Sequence, residues 1–193
     1  IQRKLVDRGI FDSFTGEIYL LELTDLGIGL PNNVLLARTT NAENPLSLFS
    51  DFITDKPESS KDFYQNKEII YISEEEFPAH LFKGKFQGFL KTFITQHEDI
   101  LIFTNSQQAM KSTLDAIRRG ETWGLSSNPL ENSEFILPTA GFGKLISVNG
   151  IWDYWTKQTN PSWSSFLQKH AAAFKSFSFI DFRINQIQGE AIA

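Results

Sequence analysis

The sequence predicts an α+β fold of repeated strand-strand-helix units, with a mainly antiparallel sheet and helices packed on one face. Two observations predict it. Short apolar, β-leaning segments come in neighbouring pairs, and three of them, ending at Asn41, Asn105 and Asn149, give way to stretches with helical spacing. Asparagine accepts hydrogen bonds where the first N–H groups of a helix have no partner, so these positions read as helix caps. Hairpins that hand over to helices favour an antiparallel sheet over a doubly wound parallel one. The repeated units are expected over 17–54, 86–120 and 134–186 of a single domain or an internal fragment of a longer protein. The start at Ile1 and the end after a strand and a glycine turn favour the fragment.

Segment 17–23 is mostly apolar, and 34–39 repeats that character after a loop holding Gly27, Gly29 and Pro31. Two antiparallel strands with a wide connection follow from this. Asn44 is placed to cap a helix that has Pro45 in its first position and Leu46, Phe49, Phe52 and Ile53 at helical spacing. The polar stretch 55–66 reads as a flexible connector, 68–73 as a strand and 77–82 as a brief helix or turn.

Segments 88–95 and 100–104 flank the polar turn Gln96-His97-Glu98-Asp99, which predicts a hairpin with a four-residue loop. Asn105 and Gln108 are spaced as a capping box, and Ala109, Met110, Leu114 and Ile117 share one helical face. Arg118 and Arg119 complement the helix dipole in the last turn, and Gly120 suits a left-handed stop. Further on, 135–137 and 144–148 are expected to pair, followed by a helix carrying Ile151, Trp152 and Trp155. A second helix opens at Asn160-Pro161, with Trp163, Phe166, Leu167, His170 and Phe174 on its apolar side. Segment 178–186 alternates Ile180, Phe182 and Ile184 with polar neighbours, as a half-buried strand does.

With 193 residues, 41% hydrophobic and 21% charged, the chain has the make-up of an ordinary folded protein and enough length to bury a core. Phenylalanine is the outlier, 18 against four each of Tyr and Trp, so rings without a polar handle should dominate the interior. A net charge of −5 argues against nucleic acid and anionic membrane surfaces, both of which need concentrated Lys and Arg. Cysteine is absent, which removes disulfides, thiolate metal sites and cysteine nucleophiles and fits the cytoplasm and the cell envelope equally. No apolar run is long enough to span a membrane.

Tests for chemistry return no catalytic, metal or cofactor site. Gly141-Phe142-Gly143-Lys144 lacks the first glycine and the magnesium-binding hydroxyl of a phosphate loop, and Gly27-Ile28-Gly29 lacks the third glycine of a dinucleotide fingerprint. No Gly-x-Ser-x-Gly elbow or His-Glu-x-x-His helix occurs. His80, His97 and His170 read as packed or solvated side chains, and Glu74-Glu75-Glu76 as a surface acidic run. Trp152, Trp155 and Trp163, with Tyr154, are the one cluster able to contact a ligand or partner, although the three-residue step from Trp152 to Trp155 favours a core role.

The run Ile100-Leu101-Ile102-Phe103-Thr104-Asn105-Ser106-Gln107-Gln108-Ala109-Met110, followed by Leu114, Gly120, Glu121, Thr122 and Trp123, resembles a motif of the DUF3352-like proteins of bacterial envelopes, a family of unknown function. The shared elements are a hairpin strand, a helix opening with Ser-x-x-Ala, then Gly-x-Thr and an aromatic residue. The resemblance implies a tandem-repeat α+β protein of the periplasm or an envelope membrane, with no catalytic residues to carry over. The expected function is therefore a non-enzymatic binding or scaffold module for a protein or an envelope polymer. Two alternatives stand beside it. One is a hydrolase or transferase whose acidic residues converge only in the fold, with His97, Glu98 and Asp99 nearest. The other is an apolar-ligand carrier using Trp152, Trp155 and Trp163.

Overall fold

The structure, a computed structural model, describes residues 2–7, 9–23, 32–40, 45–53, 61–121, 142–177 and 179–184. The chain divides into two compact units, Ile1–Leu125 and Ser126–Ala193. The fold class is α+β, and every strand pairing among the described residues is antiparallel.

The first unit is built on six strands: β1 (Phe14–Leu23), β2 (Asn32–Thr39), β3 (Lys61–Tyr64), β4 (Lys67–Ile72), β5 (Thr92–His97) and β6 (Ile100–Thr104). Their order across the sheet is β1-β2-β6-β5-β4-β3, so three hairpins lie side by side with β5 and β6 at the centre. Alternation along the strands sends Leu35, Ala37, Ile70, Ile72, Ile94, Leu101 and Phe103 to one face and Val34, Ile69 and Ile102 to the other. Because the central strands are apolar on both sides, one layer of helices would leave half of the sheet wet. The helical segments accordingly occupy both faces rather than one. The first face takes α1 (Gln2–Asp7), the 3-10 helices Ile10–Ser13 and Pro45–Phe52, and α2 (Phe77–Leu81). The second takes α3 (Gln107–Arg118), which buries Ala109, Met110 and Leu114.

The phenylalanine excess fills the first face. Phe49 meets both Phe77 and Phe103 edge-on at 5.9 Å, and Phe82 meets Phe14 at 5.2 Å and Phe86 at 5.5 Å. Segment 45–52 is a 3-10 helix rather than an α-helix. The three-residue spacing of Leu46, Phe49 and Phe52 stays in line at three residues per turn and would drift around an α-helix. Asn41 and Asn44, the expected caps here, lie outside the described residues.

β3 falls within the stretch expected to be a connector. It is a short edge strand joined to β4 through Gln65 and Asn66, whose φ values of 51° and 62° are the left-handed pair that a tight two-residue hairpin needs. Side chains of β3 and its turn are tied to α3. Gln107 Nε2 donates to Asp62 Oδ2 at 2.5 Å, Tyr64 Oη donates to Asp115 Oδ2 at 3.0 Å, and Gln65 Nε2 donates to Asp115 Oδ1. Charged residues on a short edge strand also block pairing with stray chains.

The central hairpin turns over two residues, Glu98 and Asp99, because Gln96 and His97 remain in β5 opposite Leu101 and Ile100. The backbone carbonyl of Asp99 accepts from Thr39 N–H at 2.7 Å and Thr39 Oγ1 at 2.9 Å, which fixes the tight form. At its other end β5 starts at Thr92 rather than near Gly88. The Glu76 carboxylate accepts the N–H groups of Gly88 and Phe89 at 2.8 and 3.2 Å, so the last acid of the Glu74-Glu75-Glu76 run anchors a loop.

The α3 cap is Ser106, not Asn105. Ser106 Oγ accepts from Ala109 N–H at 3.1 Å and donates to Asn32 Oδ1 at 2.7 Å. Asn105 instead uses Oδ1 to accept the β2 amide of Asn33 at 2.9 Å and Nδ2 to donate to Gly88 O at 3.2 Å. We predict that Ser106→Ala lowers stability by about 1–2 kcal/mol in urea unfolding, since one helix donor and one buried acceptor lose their partner together. A loss below about 0.3 kcal/mol would show that water replaces both bonds. The helix ends as expected. Gly120 is left-handed at φ 67°, with Glu121 N–H bonding to Ala116 O at 2.9 Å and Gly120 N–H to Ile117 O at 3.1 Å. The adjoining Arg119 guanidinium hydrogen-bonds Glu121 at 2.7 Å, and this bond holds the Glu121 carboxyl below the usual carboxylate range.

In the second unit β7 (Phe142–Ser147) pairs with β8 (Phe179–Ile184). Residues 135–137, the partner expected for β7, lie outside the described residues. Between the strands come α4 (Val148–Gln158), α5 (Pro161–Lys169) and α6 (Ala171–Lys175). Asn149 lies inside α4, whose cap is Ser147, with Oγ accepting from Gly150 N–H at 3.2 Å. The three asparagines therefore do not mark a common capping position, and the repeat reading loses that support. The core of this unit is Val148, Trp152 and Leu167, with Trp155, Ala171, Phe174 and Ile180 packed against it.

Candidate functional site

The second unit carries a line of aromatic rings that runs from its core to its surface. Asn160 caps α5 as expected, Oδ1 accepting from Trp163 N–H at 3.0 Å, with Pro161 in the first turn. Ser164 Oγ donates to Thr156 O at 2.8 Å and ties α5 to α4. That tie sets Leu167 into the core and leaves the neighbouring rings outside. Trp152 meets Phe174 at 6.3 Å, Phe174 meets Phe166 at 6.1 Å, and Phe166 meets Trp163 at 5.4 Å and His170 at 4.7 Å. Exposure rises along the line, from 6% at Trp152 to 44% at Phe166 and 55% at Trp163. Lys175 Nζ lies 5.1 Å from the centre of the Trp152 ring.

The three tryptophans singled out from the sequence thus take different places. Trp152 is core, Trp155 packs half-buried against it on the same face of α4, and Trp163 stands at the exposed end. Trp152 and Trp163 stand at opposite ends of the line of ring contacts, and Trp155 packs against the core. Phe166, His170 and Phe174, expected beside Leu167 on a buried side, supply the middle of the line instead. Of these only Phe166 lies on α5, which ends at Lys169; His170 caps it and Phe174 belongs to α6, so the one helix expected to carry all of them is broken at His170. The arrangement offers large, rigid contact area, which suits binding.

The alternative centre, the β5–β6 turn, borders an open groove of about 590 Å³ that takes in Glu68, Lys67, Gln96, Glu98 and Asp99 but not His97. Two of its carboxylates are engaged, Asp99 with Arg38 Nε at 3.1 Å and Glu68 with Lys61 Nζ at 2.5 Å. Among the described residues, no group of three or more His, Asp and Glu is placed to hold a metal ion. Nor is any helix among them long and apolar enough to cross a membrane. Gly143 and Lys144 lie within β7, where extended backbone forms no phosphate cradle, and Gly27, Gly29 and Gly141 lie outside the described residues. His80 is exposed on α2.

Set against protein-family models, curated proteins and solved structures, the chain has no significant match in any of the three.

Proposed function

We propose that this chain is a non-enzymatic binding module of the bacterial cell envelope, and that it meets its partner through the exposed aromatic ridge of α5. The supporting observation is the pair Trp163 and Phe166, stacked edge-on at 5.4 Å and largely open to solvent. Exposed rings already ordered by mutual contact lose little freedom on binding, and such side chains commonly dominate interface energetics. The envelope assignment rests on the resemblance over 100–123.

The test is co-sedimentation of the 193-residue chain with isolated bacterial membranes and, separately, with peptidoglycan sacculi. The wild type is expected to be retained by at least one fraction. The double variant Trp163→Ala/Phe166→Ala is expected to bind about 30-fold more weakly, the loss of roughly 2 kcal/mol typical of a hot spot. Circular dichroism would confirm that it remains folded. Retention by neither fraction, or equal retention of the variant, would refute the reading.

A further inference from the structure

We infer that the partner of the α5 ridge is the anionic headgroup surface of a lipid bilayer, an inference that rests on the binding role just proposed for Trp163 and Phe166. The first observation is a local charge asymmetry. The chain holds 23 Asp and Glu residues, yet none falls within residues 154–177, the stretch that carries Lys157, Lys169, His170 and Lys175. The net charge of −5 would repel the chain from an anionic bilayer, so approach needs an acid-free stretch; residues 77–97, with Lys83, Lys85 and Lys91, are another, but they expose Leu90 where 154–177 exposes Trp163, Phe166 and Phe177.

The second observation is the shape and composition of the ridge. Trp163 and Phe166 are 55% and 44% exposed on a nine-residue helix, and Phe177, 58% exposed, follows α6 in the same acid-free stretch. A row of exposed Trp and Phe fits a deformable medium into which rings can sink. Tryptophan prefers the headgroup level, where its N–H stays hydrated, and lysine stems reach past buried rings to keep their charges among the phosphates. An acidic protein surface would satisfy the lysines equally. It would need a preformed cleft for the rings, however, whereas a bilayer needs none.

The experiment titrates the full chain with vesicles of phosphatidylglycerol mixed with phosphatidylcholine, and with vesicles of phosphatidylcholine alone, following sedimentation and the blue shift of tryptophan emission. The expected result is binding to the mixed vesicles that is at least tenfold tighter than to phosphatidylcholine and is weakened by added salt. Trp163→Ala/Phe166→Ala and, separately, Lys157→Glu/Lys169→Glu should each reduce it about tenfold without changing the circular dichroism spectrum. Equal affinity for both vesicle types, or no affinity for either, would overturn the lipid assignment. If the mixed vesicles are ignored while a protein or sacculus complex is lost in the ring variant, the lipid inference fails and the ridge reading survives. If the ring variant behaves as wild type throughout, both fall.

Discussion

Replacing Phe49 with alanine will destabilise the first unit by about 3–5 kcal/mol and lower its thermal midpoint by on the order of 10 °C. Phe49 has no solvent exposure, sits in a 3-10 helix and touches Phe77 and Phe103 edge-on, so it links the covering layer to the central strand β6. Truncation removes the transfer free energy of the ring and leaves a void between rigid neighbours that cannot collapse, because Phe77 is also held by Phe52 at 5.2 Å. Phe63, 70% exposed on the edge strand, is the matched control and should change stability by less than about 0.5 kcal/mol. Equal effects at the two positions would mean that the aromatic layer does not hold the sheet together.

Gly88→Ala is expected to cost about 2–4 kcal/mol, from two separable causes. At φ 93° the backbone occupies a region that disfavours any side chain, and the added Cβ would stand 2.7 Å from Nδ2 of the buried Asn33. That amide donates to the carbonyls of Gln87 and Gly88, so pushing it aside breaks bonds that no water can readily replace. Gly84, at φ 84° with nothing near its Cβ position, carries the backbone cost alone. Gly84→Ala should therefore lose only about 1–2 kcal/mol, and the difference between the two variants in denaturant melts measures the steric contact. Identical losses would assign the whole effect to the backbone.

The elements legible in the sequence are those whose signals are local. The β5–β6 hairpin, the Ala109-Met110-Leu114 face and the Gly120 stop each follow from neighbours within one or two turns. β3 was hidden because an edge strand is half polar by design, and Lys61 and Asp62 read as loop residues until Glu68 and Lys111 supply their partners. The serine caps were missed because moving a cap by one position leaves the hydrophobic period unchanged. The covering of both sheet faces follows from contiguous apolar runs in β2 and β6, which need shielding on each side, a demand that strand assignment alone does not express. At the candidate site, Trp152 and Trp155 were placed by spacing, but the exposed state of Trp163 and Phe166 depends on packing between helices, which no single-helix pattern encodes. The summed charge likewise concealed the acid-free stretch, since a total carries no positional information.

The strand order has a kinetic consequence. β3 to β6 form a meander in which each strand pairs with its successor, whereas β1–β2 joins only along the β2–β6 seam, where the Asn33 and Asn105 bond spans 72 positions. Loop-closure entropy makes that seam the slow step of assembly, so the meander folds first and the N-terminal hairpin docks onto an existing template. Lesions along the seam or within the β3–β6 meander will therefore slow refolding.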